Sequence, residues 1–396
     1  MTPPTDKEQP RPLGWMGIHR GHKARPGEWL AEKFIFLVSL SAIAMVLLIF
    51  LFVAREAVPI FFGGVNTALV QPTIPVAEMD KHSPAELQRY LDLTPEQFKG
   101  ADHETLLALM QGKIDEQNEV PENFRTDPDA RINTTEWKYL LPAHQWSNYE
   151  KPEHIWQPVG QIKKFNIIPL FVGTLKITLI GLLFAVPLAV GAAIYVSQLV
   201  RPHARDILKP AIEMLSGIPS VVVGFFALIV MATVLQKLFG YQTRLNAFVA
   251  GIALGFAVIP VIFSIAEDAL TSVPRAYTQA ALALGASRWQ TAWQIVLPAA
   301  IPGVFAATVL GFGRAIGETM IVLMVCSASV MSWSIFDSAR SITTTIAAEM
   351  AEAVNGGPHY RILFLLGAML FAATFVSNMI GDFVIHRFKN KLEGKR

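Results

Sequence analysis

Two charged residues lie one helical turn apart in a stretch that is otherwise almost wholly apolar. The stretch VLGFGRAIGETMIVLMV, residues 309–325, carries Arg314 and Glu318. A charge at the centre of a bilayer costs at least about 2.5–3.5 kcal/mol, so we expect both side chains to face a bundle interior or a wet cavity. Arginine binds phosphate oxygens through a planar fork of N–H donors. The pair therefore indicates either an anion path or a buried salt bridge that locks the bundle.

The spacing of the two residues predicts their depth and their contact. If the helix begins near Gly303, Arg314 lies about 11 residues, or roughly 16 Å, along it, close to the bilayer midplane. Residues four apart share a helical face, so Glu318 is predicted within pairing distance of Arg314. There the carboxylate would either offset the hold of the arginine on an anion or accept a proton from the ligand. Three glycines thin the helix near that face: Gly311, Gly313 and Gly317.

The composition of the whole chain is that of a membrane protein. Its 396 residues are 52% hydrophobic and only 16% charged, with a mean hydropathy of +0.41, whereas soluble proteins carry about 25% charged residues. A net charge of +2 argues against nucleic acid as a partner. A single cysteine, Cys326, excludes an internal disulfide and a cysteine-rich metal site.

Six stretches are apolar over the length of about 20 residues that a bilayer requires. They are approximately 34–53, 169–198, 216–236, 245–265, 303–328 and 362–385. Lys and Arg are concentrated in the tails 1–33 and 387–396 and after the second and fourth stretches, which six spans place on one side. The positive-inside rule makes that side the cytoplasm. The sequence therefore predicts an all-α integral membrane protein with six transmembrane helices and both termini in the cytoplasm.

The segment between the first two spans, residues 63–164, is polar and acidic. It holds 16 Asp and Glu against 10 Lys and Arg. Asp102 precedes a run of apolar residues at helical spacing and is a predicted N-cap. Trp137, Trp146 and Trp156 lead back toward the membrane, as is typical of residues at the lipid–water interface or of packing residues. We expect a small, mostly helical extracytoplasmic insertion.

The loop after the fourth span predicts a rigid elbow on the cytoplasmic side. Residues 267–303 read EDALTSVPRAYTQAALALGASRWQTAWQIVLPAAIPG. Strong helix formers are interrupted at Gly285, and prolines 298 and 302 end the segment. A short helix, a bend that glycine permits and a second helix could fill a groove on a partner protein and transmit force into the next span.

This elbow resembles the EAA loop of ATP-binding-cassette importer permeases, whose pattern is EAA, three residues, Gly, nine residues and Ile-x-Leu-Pro. The matching residues keep every spacing: Gln279, Ala280, Ala281, Gly285, Ile295, Leu297 and Pro298. Gln279 is the one departure, because the family usually has Glu there. The resemblance implies a type-1 permease fold over residues 166–386 and docking of the elbow on an ATPase, which binds ATP and Mg. The chain itself has no G-x-x-x-x-G-K-[ST] phosphate loop.

Further stretches are similar to the PstC-type permeases of bacterial high-affinity phosphate importers. These are IIPLFVGTLKITLIGLLFAVPLAVGAAIYVSQ, ILKPAIEMLSGIPSVVVGFFAL, GFGRAIGETMIVLMV and SITTTIAAEMAEAVNGGPHYRILF. The resemblance covers roughly residues 156–388. It implies a non-catalytic, multi-pass subunit of the bacterial inner membrane. Its partners would be a PstA-type sister permease, an ATPase dimer and an extracytoplasmic phosphate-binding protein.

Four residues are the predicted substrate path: Arg314, Glu318, Thr319 and Ser220. Hydroxyls in such positions also bond to their own helix backbone, so Ser220 and Thr319 are compatible with a purely structural role. No cofactor, metal or catalytic residue is predicted for the chain itself.

Three other functions remain compatible with these residues. A permease for sulfate or molybdate would carry a similar elbow, and the stretch GRAIGETM is what distinguishes it. A secondary phosphate transporter would have no use for the elbow, and such folds often contain internal repeats that are not evident here. A membrane enzyme or sensor would use the insertion, whose histidines at 82, 103, 144 and 154 are scattered.

Overall fold

The computed structural model describes residues 26–91, 93, 95–326 and 331–392. Within them, six helical segments are long and apolar enough to cross a membrane, as predicted. These are Trp29–Phe61, Ile168–Leu199, Ser220–Phe239, Ala247–Thr271, Arg288–Ile316 and Pro358–Ile385. Most of the N-terminal basic tail and the last four residues lie outside the described residues.

The structure contains α-helices joined by short 3₁₀ and π turns, and one small sheet. The α-helices are α1 Pro26–Phe61, α2 Pro84–Tyr90, α3 Pro95–Gly100, α4 His103–Glu119, α5 Glu122–Arg125, α6 Trp137–Leu140, α7 Ile168–Ile194, α8 Pro202–Met214, α9 Ser220–Phe226, α10 Ala232–Phe239, α11 Ala247–Thr271, α12 Arg275–Ala283, α13 Arg288–Thr291, α14 Leu297–Ile316, α15 Met320–Val325, α16 Ile342–Glu349 and α17 Pro358–Leu392. Strands β1 (Trp156–Gln157) and β2 (Lys164–Phe165) pair antiparallel. The π turns Tyr195–Leu199, Ala227–Met231 and Ala292–Val296 continue or precede membrane helices.

The chain divides into two compact units, residues 1–52 and 53–396. The described part of the first unit is the apolar body of α1, whose side chains are exposed. The helix extends beyond the predicted span 34–53 at both ends, and its last residues belong to the second unit.

The core of the second unit is α11, which packs against α7 on one side and α14 on another. Glycines allow these helices to approach closely, as is common in membrane bundles. A Cβ added at Gly251 of α11 would lie 2.5 Å from Ile180 of α7. One added at Gly311 of α14 would lie 2.5 Å from Ile262 of α11. Such contacts fix the register of α14 on α11, and with it the depth of every side chain that α14 carries.

The insertion is built in two halves. The first half has a small core of its own, formed by Met79, Leu87, Leu91 and Met110. Asp102 caps α4 as predicted, because its side chain accepts a hydrogen bond of 2.9 Å from the Thr105 N–H.

The second half of the insertion packs into the membrane-helix core. Leu140, Trp156 and Phe165 belong to one apolar cluster with Leu170 of α7 and Ile362 of α17. Trp156 is only 3% exposed, so of the two roles predicted for the tryptophans, packing describes this one. The insertion is therefore continuous with the bundle at its closing end.

Candidate functional site

The fifth apolar stretch is not one continuous helix. α14 ends at Ile316, Gly317 caps it, and α15 begins at Met320. The Glu318 N–H bonds to the Ala315 carbonyl at 3.3 Å, three residues back, in place of a regular helical bond. Because the helix ends between Arg314 and Glu318, the i,i+4 rule does not apply to them. The prediction that the two residues share a helical face is wrong.

Arg314 and Glu318 also occupy different environments. The arginine is exposed, whereas Glu318 is only 9% exposed. Within the part of the chain that the structure describes, no ion pair joins them, and neither side chain has another hydrogen-bond partner. The Thr343 hydroxyl donates to the backbone carbonyl of Glu318 at 2.9 Å, which ties the helix break to the first turn of α16. The predicted salt bridge is therefore absent from this conformation.

Arg314 forms part of the wall of a cavity of about 330 Å³. The lining consists of Leu215, Ser216, Ile218, Ser220, Val222, Val223, Phe226, Met231, Ala253, Phe256, Ala257 and Arg314. Among these described residues the arginine is the only charged one, and two serines are the only other polar ones. An arginine in an apolar wall has no local group to neutralise it, so the cavity is suited to a small anion.

Helix packing places Arg314 beside the middle of α11, one of the six candidate membrane spans. Gly311 of α14 packs beside Val258 of α11, and Arg314 lines the cavity together with Ala257. α11 runs from Ala247 to Thr271, so at a rise of 1.5 Å residue 257 is about 15 Å from one end and about 21 Å from the other. Arg314 therefore lies level with the middle of this candidate span.

The remaining predicted path residues lie at different distances from the cavity. Ser220, the first residue of α9, lines it directly. Thr319 is in the helix break, where its hydroxyl lies 3.4 Å from the Gly317 carbonyl, and it is not among the lining residues.

The helix–bend–helix predicted for this segment is present, with its bend at Gly285. The prediction that prolines 298 and 302 end the segment is wrong, because both lie within α14 and the helical segment runs from Arg288 to Ile316. α12 ends in a Schellman motif: the Gly285 N–H bonds to the Leu282 carbonyl at 3.0 Å, and the Ala286 N–H bonds to the Ala281 carbonyl at 3.1 Å. Gly285 has φ +88°, a conformation that glycine adopts at little cost. Ser287 then caps α13 in a capping box with Gln290.

Five of the seven residues predicted for ATPase coupling are exposed, and large apolar side chains are exposed beside them. Gln279, Ala280, Gly285, Ile295 and Pro298 are exposed, Leu297 is half-buried and Ala281 is buried. We call five of the elbow's large exposed side chains the elbow surface: Tyr277, Leu282, Leu284, Trp289 and Trp293. Leu284 is 90% exposed. Large apolar side chains exposed together are typical of an interface with another protein or with a membrane.

Sequence reasoning missed an ion-pair cluster just before the elbow. Glu267, near the end of α11, is completely buried and accepts hydrogen bonds from Arg205 and Lys209 of α8. Thr271 donates a third, at 2.9 Å. Lys209 also bonds to Asp268 at 2.8 Å, and these hydrogen bonds, to Asp268 first and then to Glu267, raise the pKa of Lys209. The available signal was the i,i+4 pair of cations at 205 and 209.

A second cluster centres on Glu349 at the end of α16. This carboxylate is 6% exposed and bonds to Arg340 Nη1 at 2.7 Å and His359 Nε2 at 2.9 Å. The indole N–H of Trp156 donates to it at 3.1 Å. No spacing rule links Trp156 to a residue 193 positions away. In the described residues, no group of three or more His, Cys, Asp and Glu side chains is placed to hold a metal ion.

Comparison with known proteins identifies the family. The model of the family described as "Binding-protein-dependent transport system inner membrane component" matches residues 185–393, more than half of the chain. The chain belongs to this family of membrane transport components. The matched range contains the cavity and the elbow, and it excludes the insertion.

Individual relatives have similar coverage. The probable ABC transporter permease protein YqgH of Bacillus subtilis (strain 168) is 33% identical over 235 residues, 59% of this chain and 76% of the relative. The phosphate transport system permease protein PstC of Pasteurella multocida (strain Pm70) is 34% identical over 261 residues, 61% of this chain and 80% of the relative. The solved structure of the inward-facing MetNI methionine ABC transporter covers 56% of this chain and 95% of its own, with 18% identity and a TM-score of 0.44.

Proposed function

We propose that this chain is a permease subunit of an ATP-driven importer of inorganic phosphate. The observation that carries the proposal is Arg314, an arginine without a protein partner among the described residues, in the apolar wall of a cavity level with the middle of a candidate membrane span. Family membership supports the transport role, and relatives named as PstC phosphate transport permeases support the substrate.

Phosphate suits the chemistry of this cavity. Its oxygens accept two parallel hydrogen bonds from the guanidinium fork, and the permanent positive charge of Arg314 offsets the charge of the anion. In apolar surroundings that attraction is strong, because little water screens it. Ser220 supplies a hydroxyl in the same wall. The cavity is therefore a site where phosphate binds on its way across the membrane, and not an open channel.

Glu318 provides a means of releasing the anion. Its carboxylate is buried close in sequence to Arg314 and is held by no described side chain. Any rearrangement of the break at Gly317 that brings the carboxylate to the arginine makes it compete with phosphate for the guanidinium. The alternative role, a salt bridge that only locks the bundle, requires an ion pair between Arg314 and Glu318. Among the described residues, this conformation lacks that ion pair.

Features of the chain support three proposed partners. A sister permease of PstA type covers the exposed side of Arg314 and completes the path. A dimer of ATPase subunits docks on the elbow surface and supplies ATP and Mg, because this chain has no phosphate loop and performs no covalent chemistry of its own. A phosphate-binding protein delivers the substrate on the opposite side.

The proposed topology places both termini and the elbow in the cytoplasm and the insertion outside. The native Cys326 is buried, so a cysteine added at an exposed position is the main target for labelling. In intact spheroplasts a membrane-impermeant maleimide should label Glu116→Cys in the insertion and leave Arg288→Cys in the elbow unlabelled. The reverse pattern would invert the whole topology.

The substrate is tested by transport in cells that lack their own phosphate importers and express the complete complex. We expect uptake of radiolabelled phosphate that depends on an intact ATPase and that excess sulfate or molybdate does not reduce. Competition by either oxyanion would reassign the substrate. Uptake that survives inactivation of the ATPase would show a secondary transporter.

A further inference from the structure

The amphipathic helix α8 lies between the second and third membrane spans and is fastened to α11. Leu208 and Ile212, on its apolar face, pack against the main core. Arg205 and Lys209, on the same side, reach the buried Glu267 of α11. Near the end of α8, Glu213 accepts a hydrogen bond of 3.3 Å from Ser264, one turn before Glu267 on α11. Polar and apolar contacts together therefore make α8 follow that end of α11.

The two ends of this arrangement lead to the two sites described above. On α11, Thr271 bonds to Glu267, and α12 begins four residues later at Arg275. On α8, the chain passes directly into the turn Leu215–Gly217. Leu215, Ser216 and Ile218 form part of the wall of the Arg314 cavity. The Glu267 cluster thus stands between the elbow and one wall of that cavity.

The burial of Glu267 is difficult to explain by stability alone. The carboxylate is completely buried, whereas the side chains of its partners Arg205 and Lys209 are 32% and 28% exposed. Replacing a buried ion pair by apolar residues is often neutral or stabilising, so a bundle does not need such a cluster in order to fold. What short charge-assisted hydrogen bonds supply is a defined geometry. That geometry holds α8 in one register on α11.

We propose that Glu267 is a positioning residue that couples movement of the elbow to the shape of the Arg314 cavity. When the elbow moves with the ATPase, the end of α11 moves with it. Glu267 carries α8 along, and α8 displaces the wall segment 215–218. Without Glu267 the elbow still docks and the ATPase still turns over, but the cavity wall no longer follows. The inference rests on the proposed function, since it requires an ATPase at the elbow.

The test measures phosphate transported per ATP hydrolysed by the complete complex in proteoliposomes, with the binding protein present. Glu267→Gln keeps the shape of the side chain and leaves two cations that water can reach, so we expect it to assemble and hydrolyse ATP. Phosphate moved per ATP should fall about tenfold, within the usual range of coupling between sites. Asp268→Asn is the matched control, because it removes the other carboxylate of Lys209, which is 70% exposed. The control should keep the wild-type ratio.

If Glu267→Gln fails to assemble, two further variants test whether the Glu267 cluster couples the elbow to the cavity. Arg205→Gln and Lys209→Gln each leave Glu267 one cation, and each should lower phosphate per ATP by a smaller factor. An unchanged ratio in Glu267→Gln, or in both single-cation variants, overturns the proposal, and reduced abundance with an intact ratio shows a purely structural role. The ratio compares each variant with the wild type for whichever oxyanion the wild type carries. If the substrate is not phosphate, the wild-type complex itself shows this, before any variant is compared with it.

Discussion

The Glu267 cluster and the Arg314 cavity handle charge inside the bundle in opposite ways. Glu267 is fully buried, and two cations and a hydroxyl satisfy its carboxylate. Arg314 and Glu318 have no side-chain partner among the described residues, although Glu318 is nearly as buried. A buried charge without a partner is costly. The carboxylate of Glu267 has all its partners, whereas Arg314 and Glu318 have none in the described part of the chain. The Arg314–Glu318 site is therefore available for a ligand or for a movement.

The Glu349 cluster resembles the Glu267 cluster in this respect. Its carboxylate binds an arginine, a histidine and an indole N–H, and it joins the insertion to α16 and α17. α16 also contacts the helix break through Thr343. Each satisfied cluster is therefore connected to the unsatisfied site through one helix, α8 or α16. The contrast can be tested by substituting each in turn.

The largest effect is expected at Arg314. Arg314→Gln removes the charge, and Arg314→Lys keeps it but loses the bidentate fork. Charge-assisted hydrogen bonds contribute about 1.5–3 kcal/mol each, so losing two should reduce phosphate uptake at least about 100-fold. Lysine should not restore it. The measurement is radiolabelled phosphate uptake divided by the amount of assembled complex in the membrane. Uptake by the lysine variant at the wild-type rate would show that transport does not need the bidentate hydrogen bonds of arginine.

An intermediate effect is expected at the elbow. In Gly285→Val a β-branched residue must adopt φ +88°, at a cost of about 1–2 kcal/mol, so the elbow surface should shift and phosphate moved per ATP should fall. Gly63 provides a matched control, since it ends α1 in the same motif with φ +69° and open space around it.

The control separates a local backbone cost from a defect in coupling. Gly63→Val should bear the same backbone cost without changing the ratio of phosphate to ATP. If both valine variants lower that ratio equally, the elbow has no special part in coupling.

The smallest effect on transport is expected at Glu349. Removing one partner of a buried ionic cluster costs roughly 3–5 kcal/mol, so Glu349→Gln should lower the abundance of the complex. The complexes that do assemble should transport phosphate at the wild-type rate, because the carboxylate already has its partners and does not face the cavity. Reduced uptake per complex would instead connect this cluster to the path.

Much of the architecture could be predicted from the sequence, because hydropathy and local spacing determine it. The six spans follow from apolar length, and the bend at Gly285 follows from a glycine between two helical runs. The break at Gly317 could not be predicted, since the stretch around it is apolar apart from Arg314, Glu318 and Thr319, and glycine is common in membrane helices. Assuming one continuous helix placed Glu318 beside Arg314, and that pairing is absent from the structure.

The clusters around Glu267 and Glu349 were missed for a different reason. Arg205 and Glu267 are 62 residues apart, and Trp156 and Glu349 are 193 apart. Contacts over such separations come from the packing of α8 and α16 on other helices. No rule of helical spacing reports them.

The central claim is that Arg314 and Glu318 are kept for phosphate rather than for each other. The most direct measurement compares phosphate uptake with membrane abundance in the double variant Arg314→Gln with Glu318→Gln. Since neither residue has a protein partner to lose in the described structure, we expect the double variant to assemble at the wild-type level and to transport almost no phosphate. Uptake near that of the wild type would contradict the claim and show that the charges serve packing.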